Sequence, residues 1–294
     1  MSDVAVHAFA EDAAPAGRLA AALGVPLALA QLHRFPDGEV LPTVAAAAVS
    51  TLVYRSLNRP DEKLISLLLA ADAWRRAGAR RLVLVAPYLC YLRQDAVFAP
   101  GQPLSRDVIL PLIGAAFDRV VTVQGHLHRT SDLTEVLGVP TQNLGAVAAM
   151  APLLAGDDNP LIVGPDAESA PWVAEWATQL RGQAATFQKE RAGDRDVHLT
   201  SDWLHQVRGR RVVLVDDVAS SGATLTQAAH LLDHAGAASI DVAVVHALLG
   251  SRAEASLRRA GARRIISSDS VTHPTNAANL APLLARALED ELAP

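Results

Sequence analysis

The sequence is poor in sulphur and in aromatic rings. Its 294 residues include one cysteine, Cys90, and two methionines. A single thiol excludes an intrachain disulfide and any zinc cluster built on cysteines. Aromatic residues make up 4% of the chain although 50% of it is hydrophobic, so the core must be assembled from Ala, Val, Leu and Ile. Long apolar runs are missing as well. Stretches such as Ala45–Val49 and Leu82–Pro87 fall far short of the roughly 20 residues that span a bilayer. Nor is there an excess of positive charge. The 26 Lys and Arg stand against 31 Asp and Glu, a formal net charge of −5, which excludes a globally cationic nucleic-acid binder. The opening residues, Met1 to Val4, are acidic rather than basic, so no secretory leader is expected. With the lone thiol, this predicts a reducing, cytoplasmic setting and no membrane partner.

What is present is an alternation of strands and helices. Leu82–Ala86, Val120–Val123, Leu161–Val163, Val212–Val215, Val242–Val245 and Arg264–Ser267 are short apolar runs that read as buried strands. Leu64–Ala77 and Leu225–Ala235 carry apolar residues at helical spacing, and each is followed by a glycine, Gly78 and Gly236, as a helix end favours. The triplet Ala-Gly-Ala recurs at 77–79, 235–237 and 260–262. The stretch Val53–Leu89 also repeats the layout of Val215–Leu249. This predicts an α/β fold with mostly parallel sheets, in two related domains over residues 1–145 and 146–294. One long sheet built from similar units would give the same pattern.

The strongest chemical signal is Val212-Val213-Leu214-Val215-Asp216-Asp217-Val218-Ala219-Ser220-Ser221-Gly222-Ala223-Thr224. A strand leads to two carboxylates, then to small and hydroxylated residues, then to a helix. Small residues let backbone N–H groups approach an anion, and a helix N-terminus favours one. No Gly-Lys-Ser/Thr follows, so this is not a Walker loop. Asp216 and Asp217 suit sugar hydroxyls or a cation rather than phosphate. Phosphate and polyol together point to a sugar phosphate. Elsewhere, His33-Arg34-Phe35-Pro36-Asp37-Gly38-Glu39 holds a turn sequence, with a ring that can stack on a base and two carboxylates that can accept from an amine. Arg93 and Gln94 offer donors for phosphate oxygens. His126 and His128 would share one face of an extended chain. Lys189, Glu190 and Arg191 lie in a charged segment that reads as an exposed loop.

The Asp216–Thr224 segment resembles the phosphoribosyl-diphosphate loop of the type I phosphoribosyltransferase fold. Four further segments, in order along the chain, resemble the ribose-phosphate diphosphokinase family: Phe35–Glu39, Pro87–Asp95, Gly164-Pro165-Asp166-Ala167 and Lys189-Glu190-Arg191. The resemblance implies two tandem type I phosphoribosyltransferase-like domains, each with a central mostly parallel sheet flanked by helices. It implies transfer of the diphosphoryl group of MgATP to the C1 hydroxyl of ribose 5-phosphate, giving phosphoribosyl diphosphate and AMP.

By the same resemblance, Phe35, Asp37, Glu39, Arg93 and Gln94 bind ATP. Asp216, Asp217, Ser220, Ser221, Gly222, Ala223 and Thr224 bind ribose 5-phosphate. Lys189, Arg191 and His126 serve catalysis, His126 and Asp166 hold Mg²⁺, and the chain assembles as a homodimer or homohexamer. Two departures stand out. Gln124 replaces the family's Asp before His126, and Glu168 and Ser169 replace a glycine pair. The first leaves open a second reading, a catalytically weak or inactive regulatory paralogue. A phosphoribosyltransferase consuming the diphosphate would use the same loop but needs only one domain.

Overall fold

The computed structural model describes residues 3–127, 132–156, 158–191 and 197–292, with backbone alone at 189–191 and 197–198. The described chain divides into two compact units, residues 3–144 with 280–292, and residues 145–279. Residues 280–292 group with the first unit, although they follow the second in sequence.

The first unit holds β1 (Val4–Phe9), β2 (Leu27–Arg34), β3 (Val40–Thr43), β4 (Ser50–Tyr54), β5 (Arg81–Ala86), β6 (Arg119–Val123) and β7 (Thr141–Leu144). They form one sheet in the order β3-β2-β1-β4-β5-β6-β7. Every pairing is parallel except the β2–β3 hairpin. Helices α1 (Ala13–Leu23), α2 (Pro60–Arg76), α3 (Ser105–Ala116) and α4 (Leu133–Leu137) connect the strands. The central strands are buried along nearly their whole length, which is why they read as continuous apolar runs rather than alternating ones. Trp74 is one of the few aromatics in this aliphatic core, and its indole N–H donates to His7 Nδ1 at 3.0 Å.

The second unit opens with the short helix α5 (Val147–Met150), followed by β8 (Leu161–Gly164), α6 (Ala170–Leu180), β9 (Gln183–Thr186), and the antiparallel pair β10 (Gln188–Arg191) and β11 (Val197–Thr200). It continues through β12 (Arg211–Ala219), α7 (Ala223–His234), β13 (Ser239–Ala247), α8 (Ser251–Arg259), β14 (Ala262–Ser268) and β15 (Asn276–Ala278). Its main sheet is parallel, in the order β15-β14-β13-β12-β8-β9. Helix α9 (Ala281–Ala287) then belongs to the first unit and packs on α1.

Matching β1, β2, β4, β5, β6 and β7 with β8, β9, β12, β13, β14 and β15 superposes the two strand orders. Each unit also carries an antiparallel pair at this point, β2 with β3 in the first and β10 with β11, after β9, in the second. The expected pairing of Val53–Leu89 with Val215–Leu249 is therefore β4-α2-β5 against β12-α7-β13. Gly78 and Gly236, at the matching helix ends, have φ of +109° and +85°, a conformation that glycine adopts without Cβ strain.

Candidate active site

In a doubly wound sheet the chain leaves neighbouring strands in opposite directions at one point, and a crevice opens there at the carboxyl ends of the strands. In the second unit that point lies between β8 and β12. Strand β8 pairs with β12 only over Val212–Leu214 and ends at Gly164. Strand β12 runs on to Ala219, still paired with β13. The sequence suggested a strand stopping before the carboxylates. The structure instead carries Asp216 and Asp217 inside the strand, beside the space that β8 leaves open. Their side chains bond the strand's own backbone. Asp216 Oδ1 accepts from the Asp217 N–H at 3.0 Å, and Asp217 Oδ1 from the Val218 N–H at 2.7 Å.

The small-residue loop is shorter than expected. Ser220, Ser221 and Gly222 form the turn, and Ala223 and Thr224 already lie in the first turn of α7. Gly222 caps the helix with φ +70°. A Cβ there would lie 2.9 Å from Leu249 Cδ2. The Ser221 hydroxyl accepts from the Ala223 N–H at 3.4 Å, a long contact that leaves the helix N-terminus lightly capped.

Asp166 stands after β8, on the other wall of the crevice. Its carboxylate accepts from the Ser169 N–H at 3.2 Å, and its carbonyl accepts from the Ser169 hydroxyl at 2.5 Å. Ser169, one of the two departures noted in the sequence, thus fixes the turn that carries Asp166. The charges of this crevice interact. Burial, then Asp217, then Asp166 push the Asp216 carboxyl well above its ordinary value.

Strand β10 follows β9, the neighbour of β8, so the backbone of Lys189 and Arg191 begins at the same sheet edge. These two residues are strand residues paired to β11 rather than a loop. Their side chains lie outside the described residues, as does His128.

The ATP candidates fall in the first unit, also at carboxyl ends of strands. Arg93 and Gln94 follow β5, and Gln124 and His126 follow the adjacent β6. Both segments are held by backbone bonds: Gln94 N–H to the Tyr91 carbonyl at 3.1 Å, and Gln124 N–H to the Leu144 carbonyl at 2.8 Å. Tyr91 and Gln124 take positive φ, +62° and +43°. Phe35–Glu39 forms the β2–β3 turn, as its Pro-Asp-Gly suggests. The Phe35 N–H donates to the Glu39 carbonyl at 2.9 Å, and Asp37 Oδ1 accepts from the Glu39 N–H at 3.1 Å. The Phe35 ring is exposed and meets His33 edge-on. In sheet order β2 is three places from β5, about 14 Å at the usual strand spacing. Within this unit, Phe35 is therefore not brought beside Arg93.

The matching switch point of the first unit, between β1 and β4, is closed by its own charges. Arg55 is 1% exposed and contacts Glu11 at 2.5 Å and Asp12 at 3.1 Å, with its guanidinium 4.1 Å over the Phe9 ring. Lys63 is buried too and donates to the Ser56 carbonyl at 2.7 Å and to Asn58 at 2.6 Å. No local motif betrays this cluster, because its members are spread from residue 11 to residue 63.

Among the described residues, no three His, Cys, Asp or Glu side chains are arranged to hold a metal ion. The carboxylates of Asp166, Asp216 and Asp217 are hard oxygen donors of the class magnesium prefers, and a cation would relieve the repulsion that Asp216 feels. Magnesium is commonly held by one or two carboxylates with substrate phosphates rather than by an all-protein cage, and this donor set fits that mode.

Two phosphoribosyltransferase-type units in tandem, one crevice open and the other self-filled, define the class of fold. Comparison with known proteins agrees. The model for the N-terminal domain of ribose phosphate pyrophosphokinase matches residues 6–116, and that for the phosphoribosyl transferase domain matches residues 145–280. A ribose-phosphate pyrophosphokinase of Methanopyrus kandleri is 34% identical over 279 residues, covering 93% of this chain and 94% of the relative. One from Maricaulis maris is 32% identical over 283 residues, covering 90% and 89%. The crystal structure of phosphoribosylpyrophosphate synthetase from Mycobacterium smegmatis superposes with a TM-score of 0.85, covering 98% of each chain at 24% identity. The chain belongs to the ribose-phosphate pyrophosphokinase family. No described helix is long and apolar enough to cross a membrane.

Proposed function

We propose that this chain is a ribose-phosphate diphosphokinase, which moves the β,γ-diphosphoryl group of ATP to the C1 hydroxyl of ribose 5-phosphate and releases AMP. The observation that carries this reading is the crevice where β12 outruns β8, with two carboxylates on the strand and a hydroxyl-rich turn leading into α7. Ser220 to Thr224 bind the 5-phosphate through backbone N–H groups and hydroxyls. Asp216 and Asp217 accept hydrogen bonds from the ribose hydroxyls and so aim C1. Lys189 and Arg191, on β10, bring positive charge to the transferring group as the bond to the AMP oxygen breaks.

In the first unit, Arg93 and Gln94 grip the ATP phosphates, while Phe35, Asp37 and Glu39 recognise adenine. Since Phe35 lies three strands from Arg93, its adenine is that of a neighbouring copy, and the working form is a homodimer or homohexamer. In the second unit Asp166, with Asp216 and Asp217 beside it, would hold Mg²⁺, which when bound would neutralise charge on the transferring phosphates; in the first unit His126 is the candidate for a metal ion. Gln124, neutral and a poor Mg²⁺ ligand, adds nothing to that set. The substrate pair sets the enzyme in the cytoplasm. Relatives bearing the enzyme's name match over 90% or more of this chain, so an inactive regulatory paralogue is not favoured.

The test is direct. Purified protein with ribose 5-phosphate, ATP and Mg²⁺ is followed by ³¹P NMR. Equal formation of phosphoribosyl diphosphate and AMP is expected, and it is lost when Asp216→Asn and Asp217→Asn are combined. Absence of both products, or unchanged turnover in the double variant, would refute the assignment.

A further inference from the structure

The amino-terminal edge of the second sheet has chemistry of its own. Strands β12, β13 and β14 begin side by side there, and bring Arg211, Asp241, Arg263 and Arg264 together. Asp241 is fully buried. Its Oδ2 lies 3.2 Å from Arg211 Nε, 2.9 Å from Arg263 Nη2 and 2.8 Å from Arg264 Nη2. Burial opposes ionisation of Asp241, but bonds to Arg264 and Arg263 prevail and hold its carboxyl down at about 2. One arginine would neutralise one carboxylate, yet three converge here. Asp158 takes a share of Arg211 at 3.0 Å. Among the described residues, three guanidinium groups thus face two carboxylates.

The surplus has room beside it. A hollow of about 400 Å³ is lined by Ala155, Gly156, Asp158, Arg211, Arg263 and Arg264. Arg211 is occupied by Asp241, Asp158 and the Leu154 carbonyl. Arg263 and Arg264 bond Asp241 through Nε and Nη2 alone, so each keeps Nη1 without a partner among the described residues, on a side chain about half exposed. A Cβ at Gly156 would lie 2.9 Å from Asp158 Oδ1 and 3.2 Å from Arg211 Nη1, so glycine keeps that wall clear.

We propose that this hollow binds an oxyanion, with Arg263 and Arg264 as its ligands and the buried Asp241 as the post that aims them. Guanidinium pairs fixed by a carboxylate are well suited to phosphate oxygens. Arg211 and Asp216 are five residues apart on one strand, about 17 Å, so the hollow is separate from the crevice. The proposal does not rest on the reaction assigned above. The chemistry would take either free phosphate or the diphosphate end of a larger molecule.

Calorimetric titration of the full chain with inorganic phosphate, and separately with diphosphate, tests it. The combined Arg263→Gln and Arg264→Gln variant is expected to lose one phosphate site per chain, or to bind there at least tenfold more weakly, while any phosphate bound in the crevice stays. Asp158→Asn, which removes a competing carboxylate and leaves Asp241 paired, is expected to tighten the same site several-fold. Tenfold tighter binding of diphosphate than of phosphate would identify a polyphosphate end, and equal binding would identify free phosphate. Identical titrations for wild type and the double variant would overturn the proposal. If the double variant melts below the working temperature, an unchanged phosphate affinity in Asp158→Asn overturns it instead.

Discussion

At the scale of single residues, the crevice is held against an electrostatic cost. Burial and two neighbouring carboxylates raise the Asp216 carboxyl well above its ordinary value of 3.8. An acid with a raised folded pKa binds its proton more tightly folded than unfolded. Its contribution therefore weakens as pH rises from the unfolded value toward the folded one, and the loss is complete above that. Asp216→Asn removes the ionisation, so thermal melts of the ligand-free variant should exceed wild type at about pH 8 and converge with it near about pH 4, while turnover is lost. Equal melting temperatures at the higher pH would show that Asp216 carries no such burden. Gly222 is the second residue on which the crevice depends. Gly222→Ala places a Cβ at positive φ against Leu249, a strain of about 1–2 kcal/mol. Steady-state kinetics should show KM for ribose 5-phosphate rising about tenfold, with kcat changing less. Both residues were legible in sequence because strand, carboxylates and small residues are contiguous. The Arg55–Lys63 cluster was not, because only tertiary folding assembles it.

At the scale of elements, the apolar runs predicted β5, β6, β8 and β14 within one or two residues at each end, while β13 begins three residues before its run. The expectation for β12 fell short, since two adjacent carboxylates argue against a buried strand. Here the pairing of Asp216 with Val244 and of Val218 with His246 outweighs that local preference. The Lys189–Arg191 segment was misread for the converse reason. Its charge suggested a loop, but its backbone pairs with Val197–Leu199, and one face of a two-stranded ribbon tolerates charge. This element invites a chemical test, because the chain has two lysines, Lys63 and Lys189. Lys63 is buried and doubly hydrogen-bonded. An amine-acylating reagent should therefore mark Lys189 first among the lysines, with activity falling in step, and ATP with ribose 5-phosphate should protect. Peptide mass spectrometry reads the outcome; label on Lys63 alone would defeat it. Lys189→Ala should lower kcat about 10²- to 10³-fold, as for loss of one charge-stabilising donor.

At the scale of the whole molecule, the internal repeat was readable from recurring helix–glycine–strand junctions. The destination of the last residues was not. An amphipathic C-terminal helix announces that it packs, not on which unit. The structure answers through Glu291, which is buried and bonded to Arg81 Nε at 2.5 Å, Arg81 Nη2 at 2.7 Å and Arg119 Nη1 at 2.8 Å. Burial opposes its ionisation, but Arg81 and Arg119 prevail and lower its carboxyl. The contribution is thus present above its ordinary value of 4.5 and fades as pH falls through the folded one. Glu291→Gln should cost about 1.5–3 kcal/mol in urea unfolding at neutral pH, and the difference should shrink in acid. A variant as stable as wild type would show that the last turn does not fasten the first unit. The same return path sets an order of events in time. The chain leaves the first unit at residue 144 and rejoins it at residue 280, so the second unit is spliced into the first. On a ribosome the second unit emerges whole before the first can close, a wait on the order of ten seconds. Through that interval Arg81 and Arg119 have no Glu291 to meet, and the face of α1 that α9 will cover stays bare. The half of the protein that is made first is the half that finishes last.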